Sequence, residues 1–264
     1  MKINVFIIFL IAAFCVLSCS NDDFVLVEGG TFSMGSTSGE MDEKPVHSVT
    51  LSSFYMSKYE VTFEQYDEFC DDTGREKPRD QGWGRGKRPV IYVSWYDAVD
   101  FCNWLSKKEG LTPAYSGSGN NIKCNFSANG YRLPTESEWE YAARGGNKSR
   151  GYKYSGSNNA DEVSWYWENS ESKTQPVGQK KANELGLYDM SGNVYEWCWD
   201  WYGYYSSSSQ TDPEGPSAGS DRVARGGGSS WDVYVGNLRC ALRMCGRPEY
   251  RADYLGFRLV RTIR

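Results

Sequence analysis

The chain has 264 residues, is 39% hydrophobic and 15% aromatic, holds ten tryptophans, nineteen tyrosines and 28 glycines, and carries a formal charge of -5. That length suits one large domain or two small ones, the aromatics can fill a core or furnish a binding surface, and the glycines favour turns over long helices. The acidic balance excludes nucleic acid as the main partner, since the only basic run is short, at residues 85–88, and the single histidine, His47, excludes multi-histidine metal sites and leaves little room for histidine-based catalysis.

In chain order, residues 1–18 read as an export leader: Lys2, then an apolar run over residues 5–17 that is too short to span a membrane as a helix. Ser18 and Cys19 follow at once, a pattern that resembles a lipobox, in which the cysteine is lipidated and becomes the new N-terminus. The expected product is an exported, membrane-anchored lipoprotein of the outer membrane or cell surface. Residues 19–23 form a short tether, and residues 24–264 form the folded domain. Loss of residues 1–18 removes only Lys2 among charged groups and takes the formal charge from -5 to -6. Export permits disulfides, but the six cysteines beyond Cys19 do not disclose their pairing by count.

Residues 24–34 read as a hairpin turning at 28–31. Residues 47–55 alternate apolar and polar as a strand does, which makes His47 a structural strand residue. Thr62 opens a helix ending near Gly74, and residues 75–88 form a polar loop. Ser94 caps a second helix, with Ala98, Phe101, Cys102 and Leu105 at helical spacing and a stop at Gly110. Residues 111–130 are loop-like. Thr135 and Glu138 form a capping box for a third helix closed by Gly145 and Gly146. Past residue 150 the pattern is short aromatic strands and long loops with no helix. The class is α+β with much irregular structure.

Five runs occur in a telling order: EVTFEQY (60–66); PVIYVSWYDAV (89–99) with FCNWL (101–105); YRLPTESEWEYAARGG (131–146); GLYDMSGNVYEW (186–197); and RGGG (225–228), LRCALR (238–243) and LGFR (255–258). Together they resemble the sulfatase-modifying-factor family, whose namesake is the formylglycine-generating enzyme, over about residues 24–264. The resemblance implies an α+β, C-type-lectin-like fold of the formylglycine-generating-enzyme subtype. The family's enzyme holds copper on two cysteines, as soft thiolates select Cu(I). Counting back from Cys240, those positions hold Ser230 and Val235, so no copper and no such catalysis are expected. The alternative, an oxidoreductase using Cys240 and Cys245, keeps the five-residue separation but places Cys240 where the family has a structural cysteine. The positions facing Cys102 and Cys240 in the family's two disulfides hold Leu259 and Ala143, which leaves those thiols free and buried or paired anew, for instance Cys102 with Cys124.

In residues 189–196, oxygen donors can converge from a tight turn. Similar family positions bind calcium, which implies Ca2+ at Asp189, Gly192, Val194 and Glu196, through side chains at the ends and carbonyls between. Residues 225–264 resemble the variable region of retroelement-diversified lipoproteins, which display altered side chains on a fixed backbone. Trp231, Asp232, Tyr234, Asn237, Met244 and Tyr254 are the expected ligand-binding set, gathered on one outer face and met by a protein or other ligand.

Overall fold

Three capping signals become three helices. The computed structural model describes residues 23–229 and 234–263. Within it, Thr62 and Gln65 exchange side-chain and backbone hydrogen bonds at the start of α1 (Phe63–Thr73), and Gly74 ends that helix at φ 71°. Ser94 with Asp97 does the same for α2 (Trp95–Lys108), and Thr135 with Glu138 for α3 (Glu136–Ala143). In each, the cap hydroxyl and the third residue's side chain satisfy backbone N–H groups that have no intrahelical acceptor. A fourth helix, α4 (Ala160–Val163), lies where no helix was expected; four residues are too few to show a period.

The strands fall into small sheets. A first sheet has β1 (Phe24–Val27), β4 (Phe54–Ser57), β13 (Val260–Thr262) and β7 (Tyr131–Arg132), in that order. A second has β11 (Met244–Gly246), β10 (Arg222–Arg225), β8 (Tyr195–Trp201) and β12 (Leu255–Gly256). A third joins β2 (Gly30–Met34), β3 (His47–Leu51) and β9 (Gln210–Thr211), and a ribbon pairs β5 (Tyr115–Ser116) with β6 (Lys123–Cys124). Met56 of β4 pairs with Val25 on one side and Val260 on the other, so the first and last strands flank the same neighbour.

Two sequence expectations are corrected. Residues 24–34 are not a hairpin: β1 pairs with β4 and β2 with β3, in different sheets. Residues 47–55 are not one strand either, because β3 stops at Leu51 and β4 starts at Phe54. The reason is shared. Gly29 packs on the break, where a Cβ would lie 2.4 Å from the Leu51 carbonyl oxygen, and its N–H donates to Ser53 Oγ at 2.8 Å. Both chains cross between sheets side by side, which alternation alone cannot disclose.

Trp95, Trp139 and Trp197 are fully buried, and each indole N–H has an acceptor: the Cys198 carbonyl at 2.9 Å, Glu196 Oε2 at 2.7 Å and the Val93 carbonyl at 3.1 Å. The core is thereby both apolar and directionally fixed. Helix α3 is buried along its whole length, its glutamates included. Burying carboxylates requires paired cations. Glu138 is held by Arg132 at 2.7 Å, Glu136 by Arg225 at 2.7 Å and Arg243 at 2.6 Å, and Glu140 by Arg225 at 2.6 Å.

Candidate functional site

The tail is pinned at both ends by buried arginines. Arg225, closing β10, reaches Glu136, Glu140 and the Cys240 carbonyl, the last at 2.7 Å. Arg258, between β12 and β13, forms two bonds of 2.6 Å to the Glu196 carboxylate. Glu196 also accepts the Trp139 indole, so β8, α3 and the tail share one charged node. Leu238 and Leu242 between these anchors are buried in the core.

The residues expected to bind ligand divide. Trp231 and Asp232 lie outside the described residues. Tyr234 is 53% exposed and meets the half-exposed ring of Trp167 edge-on at 5.7 Å. Tyr254 is half-buried, meets Tyr195 at 6.1 Å between centroids and shares a 2.9 Å hydroxyl contact with Tyr250. Asn237 is spent locally: its side-chain oxygen accepts the Tyr234 N–H at 3.0 Å, holding the turn that presents Tyr234. Met244 packs against the core from β11, at the opposite edge of the sheet from β12, into which Tyr254 leads. The structure therefore does not bring Met244 beside Tyr254. Trp167 and Tyr195 lie outside the tail and were missed, although both are aromatics in the aromatic-rich stretch past residue 150. Tyr250, exposed in the tail, was also left out of the set.

The cysteine chemistry is equally definite. Val235 is exposed on a short 3-10 turn, and Ser230 lies outside the described residues. Cys240 is buried with its Sγ 3.6 Å from the Ala143 carbonyl, so those two positions face each other as the resemblance implied. Cys102 and Leu259 share a core cluster. All six cysteines of the described residues are free thiols, Cys102 and Cys124 among them. Burial pushes the Cys240 thiol up to about 12, which removes the thiolate that redox or metal chemistry needs.

In the 189–196 turn, Asp189 has φ 57°, and its Oδ2 accepts the Gly178 N–H at 2.7 Å. Its Oδ1 is buried without a hydrogen-bond partner, and burial raises its carboxyl to about 6. Gly192 donates its N–H to the Gly226 carbonyl at 2.7 Å, and Val194 donates to Glu60 Oε1 at 3.2 Å. Glu196 is ion-paired to Arg258, as above. Glu60, Asp189 and Glu196 are three buried carboxylates whose charges all act on the Arg258 guanidinium, which only Glu196 touches. Burial, with the neighbouring Asp189 and Glu196 carboxylates, pushes the Glu60 carboxyl well up, so the orphaned Asp189 oxygen is the feature that fits a divalent cation with oxygen ligands. Among the described residues no three acidic, histidine or cysteine side chains converge as a ready-made metal cluster, so main-chain carbonyls would have to complete the set.

Small sheets, three capped helices and a tail anchored by buried arginines define an α+β, C-type-lectin-like domain. Residues 14–263 match the family described as sulfatase-modifying factor enzyme 1-like domain, and the chain belongs to it. It is 45% identical over 262 residues to "Chaperone protein LppX" of Paenibacillus barcinonensis, covering 84% of this chain and 86% of that protein. It is 30% identical over 303 residues to the formylglycine-generating enzyme of Streptomyces coelicolor, covering 89% and 87% of the two chains. Among solved structures it is similar to Treponema denticola variable protein 1, with a TM-score of 0.79, 33% identity and coverage of 91% of this chain and 95% of that one.

Proposed function

We propose that the chain is a non-catalytic binding protein, exported and held at the membrane through lipid on Cys19, whose tail presents a ligand face. One observation carries this reading: Tyr234 and Tyr250 stand half in solvent on segments between two fully buried arginine anchors, Arg225 and Arg258. Exposed aromatics on a fixed frame are poor for solubility and good for binding, since Tyr and Trp dominate interface hot spots. Similarity to a variable protein along nearly the whole chain supports diversification of this segment, and similarity to a protein named a chaperone supports a protein as the ligand. Catalysis of the formylglycine-generating kind is opposed by Ser230, Val235 and the buried Cys240 thiol, and with it copper. Calcium at this turn would take the free Asp189 oxygen and the carbonyls of Gly192 and Val194, beside a Glu196 carboxylate whose oxygens are already held by Arg258 and Trp139; there it would brace the tail.

The test is genomic and then physical. A non-coding near-copy of the DNA for residues 225–264, beside a reverse-transcriptase gene, is expected in the source genome. Its absence, with an identical tail in sibling strains, removes the diversification reading. Replacing Tyr234, Tyr250 and Tyr254 together by Ser should then leave the fold intact and abolish capture of whichever partner the wild type retains in a surface-protein binding screen. Unchanged capture by the triple variant removes the binding face.

A further inference from the structure

A cavity lies between α3, β8 and the segment of residues 203–216, with Arg243 of the tail among its lining residues. Its volume is about 350 Å³, enough for a small organic ligand. Its floor is Asp200, 5% exposed, whose Oδ2 accepts the Glu136 N–H at 2.7 Å. Trp201, Tyr204 and Tyr205 supply aromatic walls, and Glu214 stands on the rim.

The charged groups around that floor are mostly committed to one another. Glu136 is fully served by Arg225, by two bonds from Arg243 at 2.6 and 2.8 Å and by the Tyr205 hydroxyl at 3.0 Å. Arg243 also donates, through Nη1, to the Asp42 and Gly203 carbonyls. Arg222, whose charge Asp200 also feels, lies over Trp95 and Trp201 at 3.8 and 3.5 Å and donates to the Trp199 carbonyl. Glu138 is taken by Arg132, and His47 lies against Tyr205 at 4.8 Å. Among the described residues Asp200 therefore has no salt bridge, and neither has Glu214. The loop also comes up to the carboxylate with a glycine: at Gly215, φ 77°, a Cβ would sit 2.8 Å from Asp200 Oδ1. Only glycine fits this close to Asp200, since that Cβ would also lie 2.7 Å from the Asp200 Cβ.

We propose that this cavity binds a small organic cation, an ammonium or guanidinium group, which pairs with the Asp200 carboxylate beneath an aromatic rim where Tyr204 is 91% exposed. The pairing is a charge-assisted hydrogen bond in a shielded site, where it is strongest. Aromatic walls favour an organic cation over a hydrated metal ion. Burial, reinforced by Glu136, pushes the Asp200 carboxyl up to about 8, so at neutral pH the empty site holds a proton that the cation must displace.

The experiment is calorimetric titration of the purified soluble domain, residues 20–264, with agmatine, with N-acetyl-lysine methylamide and with uncharged 1,4-butanediol. The expected result is binding of agmatine at pH 9 and about 100-fold weaker binding at pH 6, where about 1% of a carboxyl titrating near 8 is ionised. At pH 7, buffers of different ionisation enthalpy should report close to one proton released per agmatine bound. Asp200→Asn keeps an acceptor for the Glu136 N–H and should fold, as judged by its melting curve, yet lose both binding and proton release; His47 and Glu214, which face the same space, are unchanged in that variant. Binding of agmatine alone would assign the site to free amines, and binding of the blocked lysine as well would assign it to a peptide side chain. No heat from either cation at pH 9, equal binding of butanediol, or unaltered binding by a folded Asp200→Asn would each overturn the proposal.

Discussion

Arg225→Ala separates frame from display. The guanidinium is fully buried, and its loss strands Glu140 Oε2, which it holds at 2.6 Å, and one of the bonds to Glu136. Removing one partner of a buried ion pair costs about 3–5 kcal/mol. Here Glu136 keeps Arg243 and Tyr205, and Glu140 keeps Arg144 at 2.8 Å and the Gly35 N–H at 2.9 Å, so the lower end, about 3 kcal/mol, applies. For a domain of this size that lowers Tm by roughly 6–12 °C. Tyr234→Ala and Tyr250→Ala, at 53% and 44% exposure, should each stay within about 0.5 kcal/mol. The pH dependence sharpens the test. Burial works to raise the Glu140 carboxyl, but Arg225 first and then Arg144 outweigh it, and the net direction is downward. A depressed carboxylate contributes stability above its unfolded pKa and loses it as pH falls through the folded one. The gap between wild type and Arg225→Ala should therefore narrow below about pH 4. Urea melts at pH 7 and pH 3.5, with thermal melts alongside, measure all of this. An Arg225→Ala protein within about 1 kcal/mol of wild type, or tyrosine variants as damaging as it, would refute the division into buried frame and exposed face.

Calcium at millimolar concentration should raise Tm by binding only the native turn, and Asp189→Asn should abolish the rise; calorimetry showing no calcium heat would reduce residues 189–196 to a turn. Cys19→Ala should move the protein from the membrane to the soluble fraction and remove an acyl mass from its N-terminal peptide, whereas a membrane-bound variant would refute lipidation. Asp200 holds a proton in the folded chain up to about pH 8 that the unfolded chain releases near pH 4, so wild-type stability should fall as pH rises across that window, by a few kcal/mol. Asp200→Asn should lack that fall in urea melts from pH 4 to 9, and parallel curves for the two proteins would show the carboxyl to be ordinary.

What the sequence disclosed and what it hid follow from the range of the forces concerned. Caps act within three residues, so Thr62, Ser94 and Thr135 announced their helices correctly. The position of Cys240 opposite Ala143 was legible only because the five ordered runs fix the frame. Strand partners were not legible: residues 24–34 and 47–55 alternate correctly, yet which sheet each half joins depends on Gly29 meeting the break at residues 52–53 from elsewhere in the chain. Nor could the tail alone show that Asn237 would be consumed by its own turn, that Met244 would pack against the core, or that Trp167 and Tyr195 would approach from other segments. The Asp200 cavity was invisible for a related reason: its floor and aromatic walls lie within residues 200–205, but the helix that closes it and the charges around it, Glu136 and Arg243, come from far off in sequence. These distances also explain how such a tail can accept new side chains. Arg225 and Arg258 are paid for by carboxylates on α3 and β8, outside the tail, and their pairings do not involve the side chains of Tyr234 or Tyr250. Changes at the exposed aromatics leave every one of those ion pairs in place, so the energy that fixes the backbone is independent of the surface that meets a ligand.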